Sequence, residues 1–222
     1  MDEAGRGTLA GPVVAAAVVL PPGARLRGLA DSKTLTPAAR ERLYRRITDR
    51  ALAVGVGRAD AATVDAANIL QATLMAMAQA VAALPQPPEI VLVDGPIAPP
   101  LTVPCRAIPH GDALVSVIAA ASIVAKVTRD RLMGELAARF PAYGFERHKG
   151  YGTAEHQAAL RRFGPCAIHR VTFGPVRAVV TERDRRAQLA LPGMAPTTSA
   201  GSEEDAALRI PRSALGGEGE IP

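Results

Sequence analysis

The chain has 222 residues, 48% hydrophobic and only 3% aromatic, with a formal net charge of +5. That length suits one medium domain with a tail, and the apolar fraction is ample for a core. Cys105 and Cys166 are the only cysteines, which excludes a disulfide framework and any C-x-x-C zinc or redox motif.

The charge is uneven. Residues 181–222 hold five arginines and seven acids, leaving 21 basic and 14 acidic groups over residues 1–180, a net +7. Such an excess favours a polyanionic partner, with an indifferent basic surface as the plain alternative. No apolar run reaches membrane-spanning length and no signal peptide precedes Asp2, so a soluble, reducing, cytoplasmic setting without membrane contact is expected.

The chain opens on Asp2-Glu3-Ala4-Gly5-Arg6-Gly7. Adjacent acids repel, so a fold keeps them near a cation or in water. A Gly-Arg-Gly turn gathers backbone N–H groups and a guanidinium around whatever it approaches. Together they point to metal-assisted phosphodiester chemistry. A solvated start with a tight turn is the bland reading.

Pro12 to Pro21 (PVVAAAVVLP) reads as a buried strand and Gly28 to Leu35 (GLADSKTL) as a polar loop. Thr36-Pro37 opens a helix running to about Arg50, with Thr36 as N-cap. Ala51 to Gly57 is a second strand. Asp60 to Ala83 is helical, its start around Asp65 to Asn68 forming a separate turn. Glu89 to Asp94 (EIVLVD) is a buried strand ending in an acid, and Leu101 to Ile108 its neighbour. A long helix is expected over Asp112 to Phe140, then a loop from Tyr143 to Thr153, a helix from Ala154 to Phe163, and irregular chain over Pro165 to Gly174. From Thr181 onward the lack of periodicity suggests disorder.

Strands interleaved with helices imply an α/β sheet covered by helices, with ligands beyond the carboxyl ends of strands. Mg²⁺ takes few carboxylates and keeps waters or phosphate oxygens, so three or four acids from separate segments suffice for a phosphoryl-transfer site. Asp2, Glu3, Asp94 and Asp112 are the candidates. Asp94 ends an apolar strand, where an unpaired charge is costly. Asp112, following His110-Gly111, also suits a helix N-cap.

The motifs DEAGRG, DSKTL, NILQATLMAM, VLVDG, GDALVSVIAAASIVAKVTRDR and HKGYGT occur in that order. This set closely resembles bacterial ribonuclease HII, a type 2 ribonuclease H, over residues 2 to about 178. The resemblance implies an RNase H-like mixed β-sheet flanked by helices, with a C-terminal helical region. It implies one catalytic domain over residues 1–180 and a disordered tail over 181–222. It further implies a Mg²⁺- or Mn²⁺-dependent endonuclease, expected to be a monomer, acting on RNA–DNA hybrids and 5′ to single ribonucleotides in duplex DNA. Two-metal hydrolysis would leave 3′-hydroxyl and 5′-phosphate ends.

On this resemblance the metal ligands are Asp2, Glu3, Asp94 and Asp112. Gly5, Arg6 and Gly7 hold the ribonucleotide, and Tyr151 completes the reading of its 2′-hydroxyl, the group that separates RNA from DNA. Ser32, Lys33 and Lys149 match phosphate contacts. Asp130 is structural, with helix-surface pairing to an arginine as its plain reading, and His148 and His169 are structural or phosphate-adjacent.

The start departs from the family pattern. Only Met1 precedes Asp2, where family members usually carry most of the first central strand. A form extended upstream is therefore expected to be more stable and more active, and the alternative to an enzyme is a weakened binder of RNA–DNA junctions. Thr8 replaces a common proline, with little expected effect. A dinucleotide site at Gly5-Arg6-Gly7 is disfavoured, because Ala10 breaks G-x-G-x-x-G and two acids would repel a pyrophosphate. In the tail, Gln188-Leu189-Ala190-Leu191-Pro192 resembles peptides that dock on the bacterial sliding clamp.

Overall fold

The computed structural model describes residues 1–24, 26, 28–29 and 35–189. Strands β1 (Asp2–Ala4), β2 (Val13–Val19) and β3 (Ala53–Ala59) form an antiparallel sheet in that order. Strands β4 (Val91–Asp94) and β5 (Cys105–Ile108) pair in parallel. Met1 laces the two together: its amine donates to Leu92 O at 2.7 Å and its carbonyl accepts from Asp94 N at 3.0 Å. Bonds on either side of Val93 are the pattern of a parallel pairing. The strands thus run β3-β2-β1-β4-β5, a mixed sheet with β1 in the middle.

The unbroken apolar run of β2 follows from burial on both faces. Val13, Ala15 and Ala17 pack with helix α2 (Ala61–Ala82), while Ala16 and Val18 pack against α1 (Pro37–Arg50) and α4 (Ser116–Arg139). Gly55 and Gly57 of β3 admit α2 at very close range, because a Cβ there would overlap Ala80 O or Ala76 O. Their place is therefore set by packing rather than by turn formation.

The helix boundaries have local causes. Thr36 caps α1 by accepting from Ala39 N at 3.2 Å. Asp60 caps α2 through Thr63 N at 2.8 Å. As the sequence suggested, the start of α2 is distinct: Asn68 is non-helical at φ 67°, and its side chain accepts from Leu70 N and Gln71 N to restart the helix.

Three sequence expectations are corrected. Strand β5 begins only at Cys105, since Pro104 has no N–H to donate. The helix expected over Asp112 to Phe140 is two, α3 (Gly111–Leu114) and α4, divided at Val115, which is extended. Beyond α5 (Phe145–His148) and α6 (Ala154–Phe163), helix α7 (Gly174–Leu189) crosses the boundary at which disorder was expected. Pro175 sits in its first turn, Val176 is fully buried, and Arg183 donates to Phe163 O at 3.0 Å. Met1–Arg185 forms one compact unit. The Gln188–Pro192 string starts in the last residues of α7 and continues outside the described residues.

Candidate active site

Asp2 and Glu3 come from the central strand β1, Asp94 from the end of neighbouring β4, and Asp112 from the first turn of α3. Carboxylate oxygens of Asp2, Asp94 and Asp112 lie within 4.8 Å of one another. Asp94 Oδ1 also accepts from Asp112 N at 3.2 Å, which orients α3 against β4. Asp112 is therefore not an N-cap; His110, left-handed at φ 56°, holds that position. Glu3 stands beside the trio and lines, with Arg6 and Asp94, a recess of about 100 Å³.

The electrostatics of this cluster are unfavourable without a cation. Burial, reinforced by the neighbouring Glu3 charge, raises Asp2 from 3.8 to about 7, against hydrogen bonds from Ser122 and Glu3 N. Burial raises Glu3 too, opposed mainly by Arg6, whose Nη1 lies 3.2 Å from Oε1. Glu3 Oε2 is buried without a hydrogen-bond partner among the described residues. Burial also lowers the Met1 amine to about 6. Clustered acids with an orphaned oxygen fit hard divalent cations such as Mg²⁺ or Mn²⁺, which bind all-oxygen donor sets.

The Gly5-Arg6-Gly7 turn is built by two buried arginines that the sequence reading passed over. Arg170 donates to Gly5 O at 2.7 Å, Arg6 O at 2.8 Å, and Gly11 O through both Nε and Nη2. Arg129, on α4, donates to Pro12 O, Lys149 O, Ala10 O and the Thr8 hydroxyl. Both are fully buried. Burial depresses both, Arg170 to about 10, which leaves Arg170 charged at neutral pH. Gly5 has φ +97°, and a Cβ there would overlap the Arg129 guanidinium. Thr8 is not a bland replacement for proline: fully buried, its hydroxyl contacts Gly5 O at 3.0 Å and receives Arg129 Nη2 at 2.9 Å.

The loop carrying Lys149 and Tyr151 is stitched to this turn. Leu9 N donates to Gly150 O at 2.9 Å, Arg170 N donates to Leu9 O at 2.9 Å, and Ala10 bridges to His169. Tyr151 is 42% exposed, and the Lys126 ammonium lies 5.4 Å from its ring centroid, so the phenol is presented rather than packed away. Lys149 is left-handed at φ 50°. Ser32 and Lys33 lie outside the described residues. Asp130 stays out of the acid trio: it pairs with Lys126 at 2.7 Å and with Arg40 at 3.7 Å. His148 and His169 are buried.

Comparison with known proteins meets this geometry. The Ribonuclease HII family profile matches residues 1–176. The chain belongs to the Ribonuclease HII family. It is 57% identical over 178 residues to the Ribonuclease HII of Syntrophobacter fumaroxidans, covering 80% of this chain and 76% of that protein. Among solved structures, ribonuclease H2 from Pyrococcus horikoshii superposes with a TM-score of 0.69 at 28% identity, covering 83% of this chain and 97% of that one. The RNase HII of Archaeoglobus fulgidus, solved in complex with PCNA, gives 0.67 at 26% identity, covering 78% and 93%. As a member of the Ribonuclease HII family, the chain is an endoribonuclease with an RNase H-like fold. None of its described helices is long and apolar enough to cross a membrane.

Proposed function

We propose that this ribonuclease hydrolyses the RNA strand of RNA–DNA hybrids and cuts 5′ to single ribonucleotides in duplex DNA, leaving 3′-hydroxyl and 5′-phosphate ends. The observation that carries the reading is the gathering of Asp2, Asp94 and Asp112 within 4.8 Å, with Glu3 alongside. These four acids would hold Mg²⁺ or Mn²⁺. Two such ions, when bound, supply a nucleophilic water and stabilise the leaving oxygen of an in-line displacement.

The chain's own residues do the rest. The Arg6 guanidinium, half exposed at the turn and held near Glu3, offers charge-assisted hydrogen bonds to a phosphate. The backbone of Gly5 and Gly7 borders the ribose. Tyr151 sets its ring against the sugar and its hydroxyl on the 2′-OH. Lys149, with Ser32 and Lys33, supplies phosphate contacts. The catalytic unit is residues 1–180, with α7 continuing beyond it. The net +7 over this region suits a nucleic-acid duplex. A secondary part of the reading is a sliding-clamp contact through Gln188–Pro192, which a pull-down insensitive to Leu189→Ala and Leu191→Ala would dismiss.

The test is a labelled DNA duplex with one embedded ribonucleotide, incubated with Mg²⁺, Mn²⁺ or EDTA. A metal-dependent cut 5′ to the ribonucleotide, lost in Asp94→Asn, is expected. Binding of the duplex without cutting, in every metal, would instead make the protein a junction binder.

A further inference from the structure

Behind Tyr151 lies a chain of hydrogen bonds whose direction the structure fixes. His156 Nδ1 is 2.8 Å from Tyr151 O, and a carbonyl only accepts, so Nδ1 carries the proton. His156 Nε2 lies 3.0 Å from His169 Nε2. With His156 neutral, its Nε2 accepts and His169 Nε2 donates. His169 Nδ1 is then left as an acceptor, and Cys166 N donates to it at 2.9 Å. The order is Cys166 N–H to His169, His169 to His156, His156 to Tyr151 O.

Every link in this relay is enclosed. His156 is fully buried and His169 is 3% exposed. His148 stacks on His156 at 4.5 Å and 12° between planes, and its own ring is held by Tyr143 O at 2.7 Å and by Gly150 N at 3.3 Å. Phe145 packs edge-on against His148 and His156, and Tyr143 lies 5.0 Å from His169. Burial depresses both His156 and His169, in keeping with two neutral rings. Among the described residues none of these rings hydrogen-bonds to Asp2, Glu3, Asp94 or Asp112, and general packing alone does not require a defined tautomer at each ring.

We propose that His156 and His169 are positioning residues for ribonucleotide recognition: their directed hydrogen bonds fix the main chain of Tyr151 and so set where its phenol meets the sugar. This inference rests on Tyr151 touching the ribose, as proposed above. The carbonyl of Tyr151 also accepts from Thr153 N at 2.8 Å, and Tyr151 N donates to His148 O at 2.9 Å. The histidine is thus a second donor to the carbonyl of a residue whose side chain is exposed to solvent. Misplacing a recognition group by about 1 Å costs up to ~100-fold in rate. Affinity is dominated by phosphate contacts, so the loss falls on kcat rather than KM.

The test uses the full chain and the single-ribonucleotide duplex. His156→Ala should lower kcat about tenfold with KM nearly unchanged, and His156→Asn, which keeps a donor at the Nδ1 position, should recover most of it. At the other ring, His169→Gln keeps a donor toward His156 and should stay closer to wild type than His169→Asn, which does not. Each variant is first shown to be folded by its cooperative melting transition. A double-mutant cycle then separates positioning from structure: in a Tyr151→Ala background the His156 substitutions should change kcat by less than about twofold. A purely structural role would predict an undiminished effect there and overturns the proposal, as does equal damage from His156→Ala and His156→Asn. Should Tyr151→Ala itself leave cleavage intact, the reading of Tyr151 falls and the inference with it. If Tyr151→Ala impairs cleavage while His156→Ala does not, only the inference falls.

Discussion

The acid cluster costs stability that function requires, and Asp2→Asn should expose the cost. Asp2 titrates near 7 in the fold against an ordinary 3.8, because it is buried beside Glu3. For an acid with a raised pKa the native state holds the proton more tightly than the unfolded chain does. Its unfavourable ionisation is therefore absent below about pH 4, grows as pH rises, and is complete above about pH 7. A shift of about three units is worth about 4 kcal/mol. Asn retains an oxygen to accept from Glu3 N but carries its own burial cost, so a net gain of about 2–3 kcal/mol for Asp2→Asn at pH 8 is expected.

The assay is thermal and urea unfolding of both proteins in EDTA across pH 4–8. The difference between them is the useful quantity. In wild type alone, His156 and His169 add pH dependence of the opposite sign, which cancels in the comparison, whereas the Met1 amine, whose charged form Asp2 favours, titrates lower in the variant. Asp2→Asn should be about 1–2 kcal/mol less stable than wild type near pH 4, where Asp2 is protonated and only the burial cost of the amide remains, and should exceed wild type by about 5–10 °C in Tm at pH 8. Adding Mn²⁺ should raise wild-type Tm at pH 8 and leave the variant nearly unmoved, since a ligand binding only the native state stabilises it. A difference that stays flat with pH, or a variant less stable than wild type at pH 8, would refute the electrostatic reasoning.

Removing Arg170 should be severe. Arg170→Met strands the carbonyls of Arg6 and Gly11 and leaves Gly5 O with the Thr8 hydroxyl alone, and at ~1–3 kcal/mol per orphaned acceptor a loss of about 2–5 kcal/mol is expected in urea titration. Gly57→Ala, which drives a Cβ into Ala76 O, should cost about 2–3 kcal/mol by the same measurement and shift Tm without shifting metal affinity. His169, depressed from 6.5 to about 4 chiefly by burial, contributes stability that is fully present above pH 6.5 and is lost as pH falls through 4. His169→Gln should therefore flatten the acid limb of the stability profile by up to about 3 kcal/mol, read as unfolding free energy from pH 7 to 4.

The acids and the arginines show what sequence can and cannot disclose. Asp94 was legible because a charge closing an apolar run has few tolerable environments; beside Asp130 an arginine was expected on its own helix, but the partner there is Lys126 and the arginine, Arg40, comes from α1. Gly55 and Gly57 read only as strand residues, since their reason is a helix that arrives from elsewhere in the fold. Thr181 to Leu189 lacked periodicity, yet burial of Val176 and the Arg183 contact with Phe163 O anchor the helix that carries it. Arg129 did leave a trace. Ile118, Ser122, Ala125, Arg129, Met133 and Ala137 recur at spacings of three and four and are all buried, so a charge stood in the middle of an inward stripe. A buried charge needs partners, and among the described residues its acceptors besides the Thr8 hydroxyl are backbone carbonyls up to 119 residues away. Carbonyls have no residue identity to read. Arg170 lies in irregular chain with no stripe to betray it, although its bonds converge on the same turn. Catalytic acids are visible as residues, whereas the device that shapes the turn beside them is visible only as geometry.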